Sequence, residues 1–218
     1  MIKADHKRWA RYIFNVYIEK QLRGHFSHFY MLNEVPDVKD GETVIFCPNH
    51  FSWWDGFLID RIYRSFYRKK KFYIMMLEEQ LKKLWFFGKL GAYSINQTNP
   101  RSIIDTIKYT KAIIRGEEAF IAIYPQGEYQ QVDPEKIKLK RGLIKIVNGL
   151  DDKLKIVPIA FDFKSGEEKL PKIYVRSGRI FYPKEIERDF DGFELEFRQN
   201  LALLKQECFN TKPLKDLI

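Results

Sequence analysis

Among the four histidines of this 218-residue chain, His50 has a carboxylate at an offset that allows shared chemistry. Asp55 follows it by five residues in the run Asn49-His50-Phe51-Ser52-Trp53-Trp54-Asp55. A turn there folds the carboxylate back onto one imidazole nitrogen. An aspartate so placed fixes the tautomer and stabilises the imidazolium, while the other nitrogen removes a proton from an attacking hydroxyl. The same spacing also suits a histidine that ends a loop and an aspartate that serves a helix N-terminus. Cys47, three residues before His50, is a conceivable nucleophile, but its β-branched and aromatic neighbours fit a small buried strand residue better.

These residues need a strand before them and a helix after them, and the patterning supplies both. Thr43 to Cys47, bounded by Asp40-Gly41 and Pro48, reads as a buried strand. Trp54, Phe57, Leu58, Ile62 and Phe66 then recur at helical spacing. The alternation continues with a strand over Phe72–Leu77, a helix through Leu81, Leu84 and Trp85, and a turn around Gly88 and Gly91. The next helix is capped by Asn99 and Pro100, carries Ile103, Ile104, Ile107 and Ile114 on one face, and stops at Gly116. Strands follow at Ala119–Tyr124, Ile156–Phe163 and Ile173–Phe181, and Asp191-Gly-Phe-Glu194 reads as a capping box opening a last helix through Phe197, Leu201 and Leu204. Upstream, Trp9, Ile13, Val16, Tyr17, Phe26 and Phe29 predict an amphipathic helical arm broken near Gly24. Alternating strands and helices without a long polar linker make one α/β domain, here residues 36–218, entered by an arm at 1–35.

Composition narrows the partners. A formal net charge of +9 with many aromatics suits nucleic acid, a membrane surface or a phosphate-bearing cofactor. No zinc-finger spacing or RNP-like run supports nucleic acid. With only Cys47 and Cys208, no disulfide framework or thiolate metal cluster can be written, and a reducing compartment is expected. The longest stretch free of Asp, Glu, Lys and Arg is the twelve residues from Thr43 to Trp54, short of the roughly 18 that a bilayer span requires. The first residues lack the apolar length and cleavage site of a secretory leader. Trp85-Phe86-Phe87, beside Lys82, Lys83 and Lys89, reads as an interfacial anchor.

Asn49-His50-Phe-Ser-Trp-Trp-Asp55-Gly56 resembles the NHxxxxD motif of the lysophosphatidic acid acyltransferase family, the acylglycerol-phosphate acyltransferases of phospholipid synthesis. Gly91-Ala-Tyr-Ser-Ile-Asn-Gln97 falls where that family has GxxFIDR, and Tyr124-Pro-Gln-Gly-Glu-Tyr129 where it has FPEGTR. Lys140-Arg141-Gly142 is similar to the basic step that follows, and Val157-Pro158-Ile159 to the fourth motif. Together they cover about residues 43–163. The resemblance implies a mixed β-sheet flanked by α-helices. It also implies a lysophospholipid-type O-acyltransferase, peripheral on the cytoplasmic, inner face of a membrane, that moves a fatty acyl group from acyl-CoA or acyl carrier protein to a lipid hydroxyl. His50 is then the base and Asp55 its partner. No metal and no other cofactor is required, because a thioester is already activated and its oxyanion needs only preorganised N–H donors. Those donors are expected near Gly127, with Gln126, Glu128 and Gln97 around the acceptor. Lys140 and Arg141, at the end of the basic run from Lys136, are expected to meet the donor's phosphates or an acidic carrier surface, a solvated face being the alternative.

Two departures matter. The arginines that bind the acceptor's phosphate in that family are replaced here by Gln97 and Tyr129, and the third-motif glutamate by Gln126. A phosphomonoester is nearly a dianion, and neutral side chains cannot replace a bidentate guanidinium. The acceptor is therefore expected to carry its hydroxyl on a head without a phosphomonoester. The rival reading is a catalytically inactive protein of the same fold that holds lipid, a membrane or nucleic acid.

Overall fold

In the computed structural model, which describes residues 1–166 and 168–218, the chain opens with helix α1 (Arg8–His25) and strand β1 (His28–Met31). Then come β2 (Thr43–Pro48), α2 (Asp55–Phe66), β3 (Lys71–Leu77), α3 (Glu78–Lys83), a 3-10 helix over Trp85–Leu90 and β4 (Ala92–Ile95). The second half contains α4 (Pro100–Gly116), β5 (Ala119–Ala122), α5 (Gly142–Val147), β6 (Leu154–Lys164), β7 (Lys172–Ser177), α6 (Pro183–Arg188), α7 (Phe190–Asn210) and β8 (Lys215–Asp216). The strands form one sheet in the order β4-β3-β5-β2-β6-β7-β1-β8. From β4 to β6 the neighbours are parallel; β7 is antiparallel to β6, β1 parallel to β7 and β8 antiparallel to β1. This is the mixed α/β sheet flanked by helices expected from the sequence.

Side chains alternate across the sheet, so each strand feeds two cores. In β2, Val44 and Phe46 join Phe120 and Phe161 beneath α1 and α2, where Phe14, Ile18, Leu22, Leu58 and Ile62 cover them. Ile45 and Cys47 join Ile121 and Ile156 on the other face, under Leu143, Ile146, Phe193 and Leu201. Every residue of β2 is buried, as a central parallel strand with both faces covered must be.

Several elements differ from the sequence reading, for local reasons. Residues 28–31 form β1, although Phe26 and Phe29 share helical spacing; the chain leaves α1 in extended geometry at Phe26. Four residues after Gly91, whose φ of +115° sets the turn, make β4. The short helices α5 and α6 carry too few periodic residues to stand out. The last helix begins one residue before Asp191, capped by Asp189, whose carboxylate accepts from the Gly192 amide at 2.8 Å. In α4 the buried stripe is Ser102, Thr106, Thr110 and Ile113 rather than the isoleucine face. Thr106 Oγ1 donates to the carbonyls of Ser102 and Ser94, so hydroxyls can be buried there without penalty.

Helix α1 packs on α2 through charge as well as hydrocarbon. Its buried stripe is Ala10, Phe14, Ile18 and Leu22. Beside it the Arg11 guanidinium pairs with the buried Asp60 carboxylate and donates to the Leu90 carbonyl at 2.8 Å. Arg64 Nε holds the second Asp60 oxygen at 2.9 Å, and Arg61 pairs with Glu19. Removing one member leaves two guanidinium groups facing an emptied site. Asp60→Ala is expected to destabilise the fold by about 3 kcal/mol, read as a lowered urea midpoint with unchanged slope; a loss below about 1 kcal/mol would show the cluster to be a surface-type pair.

Candidate active site

The loop after β2 is built to hold one imidazole. The Asn49 side chain brackets Phe161 of β6, donating to its carbonyl at 3.0 Å and accepting from its amide at 2.7 Å. The His50 amide donates to Gln126 Oε1 at 2.5 Å, and the His50 carbonyl accepts from the Gln130 amide at 2.9 Å. Asp55, at the first position of α2, reaches back so that its Oδ2 lies 2.7 Å from His50 Nδ1 and accepts the amides of Phe51 and Ser52 at 2.8 and 3.0 Å. A carboxylate acceptor assigns the proton to Nδ1 and leaves the lone pair on Nε2.

The Asp55 side chain is almost fully buried, and its Oδ1 has no partner among the described residues. Burial raises its carboxyl above the ordinary value of 3.8, against the opposing effect of the three donors on Oδ2. A carboxylate so deeply buried gains most when the ring beside it becomes a cation. Two tyrosines flank that ring: Tyr129 stacks on it with centroids 4.1 Å apart, and Tyr124 lies at 4.5 Å. Their π faces favour the imidazolium. Cys47 is fully buried, and desolvation pushes its thiol far above the ordinary range, so it is not a nucleophile.

His50 lines a cavity of about 580 Å³ with apolar walls that include Phe57, Ile74, Leu90, Ile107 and Leu143. Its walls include Met75 to Leu77 and Ile123 to Pro125, the residues beyond Ile74 and Ala122, where the pairing of the parallel strands β3 and β5 ends. Crevices at such strand ends are where open α/β sheets bind ligands.

Gln97, Gly127, Glu128, Tyr129 and Lys140 line the same cavity; Gln126 and Arg141 do not. Gln126 is buried, its amide holding His50 and Gln130 instead of facing substrate. Arg141 points outward to Asp191 at 2.5 Å. The Gly127 amide, expected as an oxyanion donor, closes a turn onto the Tyr124 carbonyl at 3.0 Å. The following amides, of Glu128 and Tyr129, donate to no backbone carbonyl among the described residues. Gly127 is required in this turn, because its φ is +71° and a Cβ would lie 2.7 Å from Lys140 Cδ. Its carbonyl accepts from Gln97 Nε2 at 2.9 Å, and Lys140 Nζ donates to Gln97 Oε1 at 2.7 Å. Lys140 is the single Lys or Arg among the described residues that line the cavity. Sequence reasoning assigned no role to Asn49, Tyr124 or Gln130. Their contacts run to chain segments far away, which no local spacing reports.

Of the three aromatic residues at 85–87 expected to form an interfacial anchor, two are taken up by packing. Phe86 packs edge-on against Trp9 and Phe87 against Phe14 and Phe57, leaving Trp85 exposed.

The family profile described as Acyltransferase matches residues 28–162. No curated protein matches the chain significantly. Among solved structures, the crystal structure of the 1-acyl-sn-glycerophosphate (LPA) acyltransferase, PlsC, from Thermotoga maritima is similar, with a TM-score of 0.53 and 15% identity. The alignment covers 81% of this chain and 73% of that one. At that identity the likeness is one of fold.

The raised carboxyl has a consequence for stability. Below about 3.8 Asp55 is protonated whether folded or not and costs nothing. As pH rises from there toward the higher folded value, the unfolded chain ionises first and stability falls, with the full cost present above that window. Asp55→Asn lacks this fall. The urea stability of the variant relative to the native chain should therefore improve as pH rises above about 4; a constant difference would reject the raised carboxyl.

Proposed function

We propose that this chain, which belongs to the acyltransferase family, transfers a fatty acyl group from an acyl-CoA or acyl-carrier-protein thioester to a hydroxyl of a lipid acceptor, with His50 as general base. The reading is carried by the imidazole held 2.7 Å from a buried carboxylate at the wall of an apolar cavity. The acceptor hydroxyl oxygen attacks the thioester carbonyl carbon while His50 Nε2 takes its proton. Asp55 and the two tyrosine faces stabilise the imidazolium. The tetrahedral oxyanion is met by the amides of Glu128 and Tyr129, which donate to no backbone carbonyl among the described residues. The C–S bond then breaks, the imidazolium returns its proton to the leaving thiolate, and ester and thiol depart. His50→Ala should lower thioester-dependent transfer by about 10²–10⁴-fold with the fold retained by circular dichroism. Native protein that transfers from no thioester to any lipid alcohol would leave only a lipid-holding role.

The cavity carries little positive charge for a phosphate. Gln97 is held by Gly127 and Lys140, Tyr129 lies on His50, and Glu128 adds a negative charge to the cavity wall. A phosphomonoester head would meet one lysine where a dianion needs two guanidinium groups. Lysophosphatidate is therefore expected to be a poorer acceptor than lipid alcohols with uncharged heads. Gln97→Arg combined with Tyr129→Arg should raise its relative use by at least about tenfold, one bidentate contact being worth roughly 1.4 kcal/mol or more. A native enzyme that prefers lysophosphatidate would defeat this assignment.

Access to lipid is supplied by the face of α1 that the core leaves out. Trp9, Tyr12, Ile13, Val16 and Tyr17 are each more than half exposed, and Trp53 and Trp85 are exposed as well. Trp9 lies against Phe86 beside Trp85, and Trp53 lines the cavity. No described helix is long and apolar enough to cross a membrane; this face instead suits burial in the headgroup boundary, with lysines and arginines at anionic lipids. Replacing Trp9, Ile13 and Val16 by Ala should cut co-sedimentation with phosphatidylglycerol vesicles by more than about a hundredfold, each side chain contributing roughly 1.5 kcal/mol or more. Undiminished binding would place membrane contact elsewhere.

A further inference from the structure

The Asp55 carboxylate is satisfied on one oxygen only. Oδ2 takes the His50 ring and two amides, while Oδ1, also buried, has no partner among the described residues. An ionised carboxylate accepts on both oxygens, and leaving one of them orphaned away from water costs free energy. The same site holds an orphaned donor. The Tyr124 hydroxyl oxygen is shut off from solvent and likewise has no partner among the described residues. The other buried side-chain atoms in that condition belong to Asn15, Arg64, Asp162 and Arg198, on α1, the later part of α2, β6 and α7.

Strand register puts the orphaned donor on the acceptor's side of the sheet. Phe120 and Ala122 of β5 face the core beneath α1 and α2, and the Ile123 amide extends the ladder by donating to the Phe46 carbonyl at 3.0 Å. Alternation along the strand then sends Tyr124 to that face, where its ring packs against the same core. Helix α2 covers this face and begins at Asp55. The Tyr124 ring lines the cavity 4.5 Å from the His50 ring, but its oxygen is closed to solvent. A hydroxyl so placed is directed into the protein and not offered to a substrate. Burial, followed by the charge of Asp55, holds the phenol well above its ordinary value of 10, so it keeps its proton and remains a donor at any working pH.

We propose that Tyr124 is a positioning residue for the base: by a rotation of its ring its hydroxyl donates to Asp55 Oδ1 and holds that carboxylate ionised while His50 carries the acceptor's proton. The two atoms are not bonded in the structure, and the contact satisfies both at once. The resembled motif has phenylalanine at this position, so the hydroxyl is a feature of this chain. Its catalytic consequence rests on the acyl-transfer reading, which it deepens; the contact itself does not.

Tyr124→Phe removes the oxygen and keeps the ring that faces the imidazole. The donor favours the ionised carboxyl, so its loss should raise the titration of Asp55 by about one pH unit or more, a tenfold change in the ionisation constant. Carbon-13 NMR of protein labelled at the aspartate carboxyls reads this directly. Urea unfolding reads it independently. Asp55→Asn gains stability over its parent as pH rises above about 4, and in the Tyr124→Phe background the pH-dependent part of that gain should be about tenfold larger in unfolding constant. Ring packing alone moves neither quantity. An unmoved or lowered carboxyl titration, or equal pH-dependent gains in the two backgrounds, would overturn the proposal. In turnover, Tyr124→Phe should move the acid limb of kcat/KM upward by about one unit and leave KM on the plateau unchanged; an unmoved limb in an active enzyme would overturn the positioning role. A shifted titration in a protein that transfers from no thioester would instead defeat the acyl-transfer reading and leave the contact standing.

Discussion

One carboxylate oxygen organises this site. Asp55 Oδ2 collects the His50 ring and the amides of Phe51 and Ser52, so the loop between β2 and α2 is folded around it. Nearly all water is excluded from that carboxylate, and a buried charge is tolerated only where donors are already aimed at it. Its position at the start of a 12-residue helix adds the partial positive charge of unpaired helix amides. The three donors and the helix end fix the loop's shape, and the loop's shape fixes the imidazole. The same oxygen therefore serves the fold of the loop and, in the proposed mechanism, its chemistry, and Oδ1, without a partner among the described residues, marks where the compromise between them lies.

The sheet supplies what this loop cannot. Parallel strands end on one edge, so the segments after β2, β3, β4 and β5 converge although they are distant in sequence. His50 follows β2, Gln97 follows β4, and Tyr124 to Tyr129 follow β5. The Gln126 side chain joins the first of these segments to the third, and Gln97 joins the second to the third through the Gly127 carbonyl. Three chain segments thus form one rim through amide contacts, with Lys140 added from the approach to α5. A rim held by neutral amides keeps its shape without concentrating charge, which suits a cavity whose remaining walls are hydrocarbon.

What the sequence made legible was what is local. The histidine and its aspartate are five residues apart, and the Asn99 cap and Pro100 lie within one turn of α4; such spacings are decided by neighbours in the chain. The roles of Gln126, Tyr129 and Lys140 are not of that kind. Each depends on a partner that the sheet topology brings near, as when Lys140 meets Gln97 across 43 positions. Helix α1 shows the same limit. Its apolar residues are legible as a helix, but two stripes compete for the core, and only the packing against α2 decides that Phe14 and Ile18 go in while Trp9 and Ile13 stay out. For α4 the pattern misled because hydroxyls with satisfied hydrogen bonds can occupy a buried stripe as well as isoleucines do.

In the proposed mechanism, the tyrosine at 129 ties the choice of acceptor to the base. In the resembled motif an arginine stands there, and a guanidinium about 4 Å from an imidazole opposes its protonation by about 4 kcal/mol at an effective dielectric of 20. A bound phosphomonoester offsets that repulsion, because its charge is nearly two. Without such an acceptor the arginine would only hinder the base. Tyr129 reverses the sign of the interaction, since its stacked ring favours the imidazolium. Lys140, the one ammonium on the cavity wall among the described residues, is drawn toward Gln97. Losing the phosphate-binding charge and supporting the cationic base are therefore one change rather than two. On the proposed mechanism, a chain that made the first without the second would keep a cavity for lipid but weaken the proton transfer assigned to its histidine.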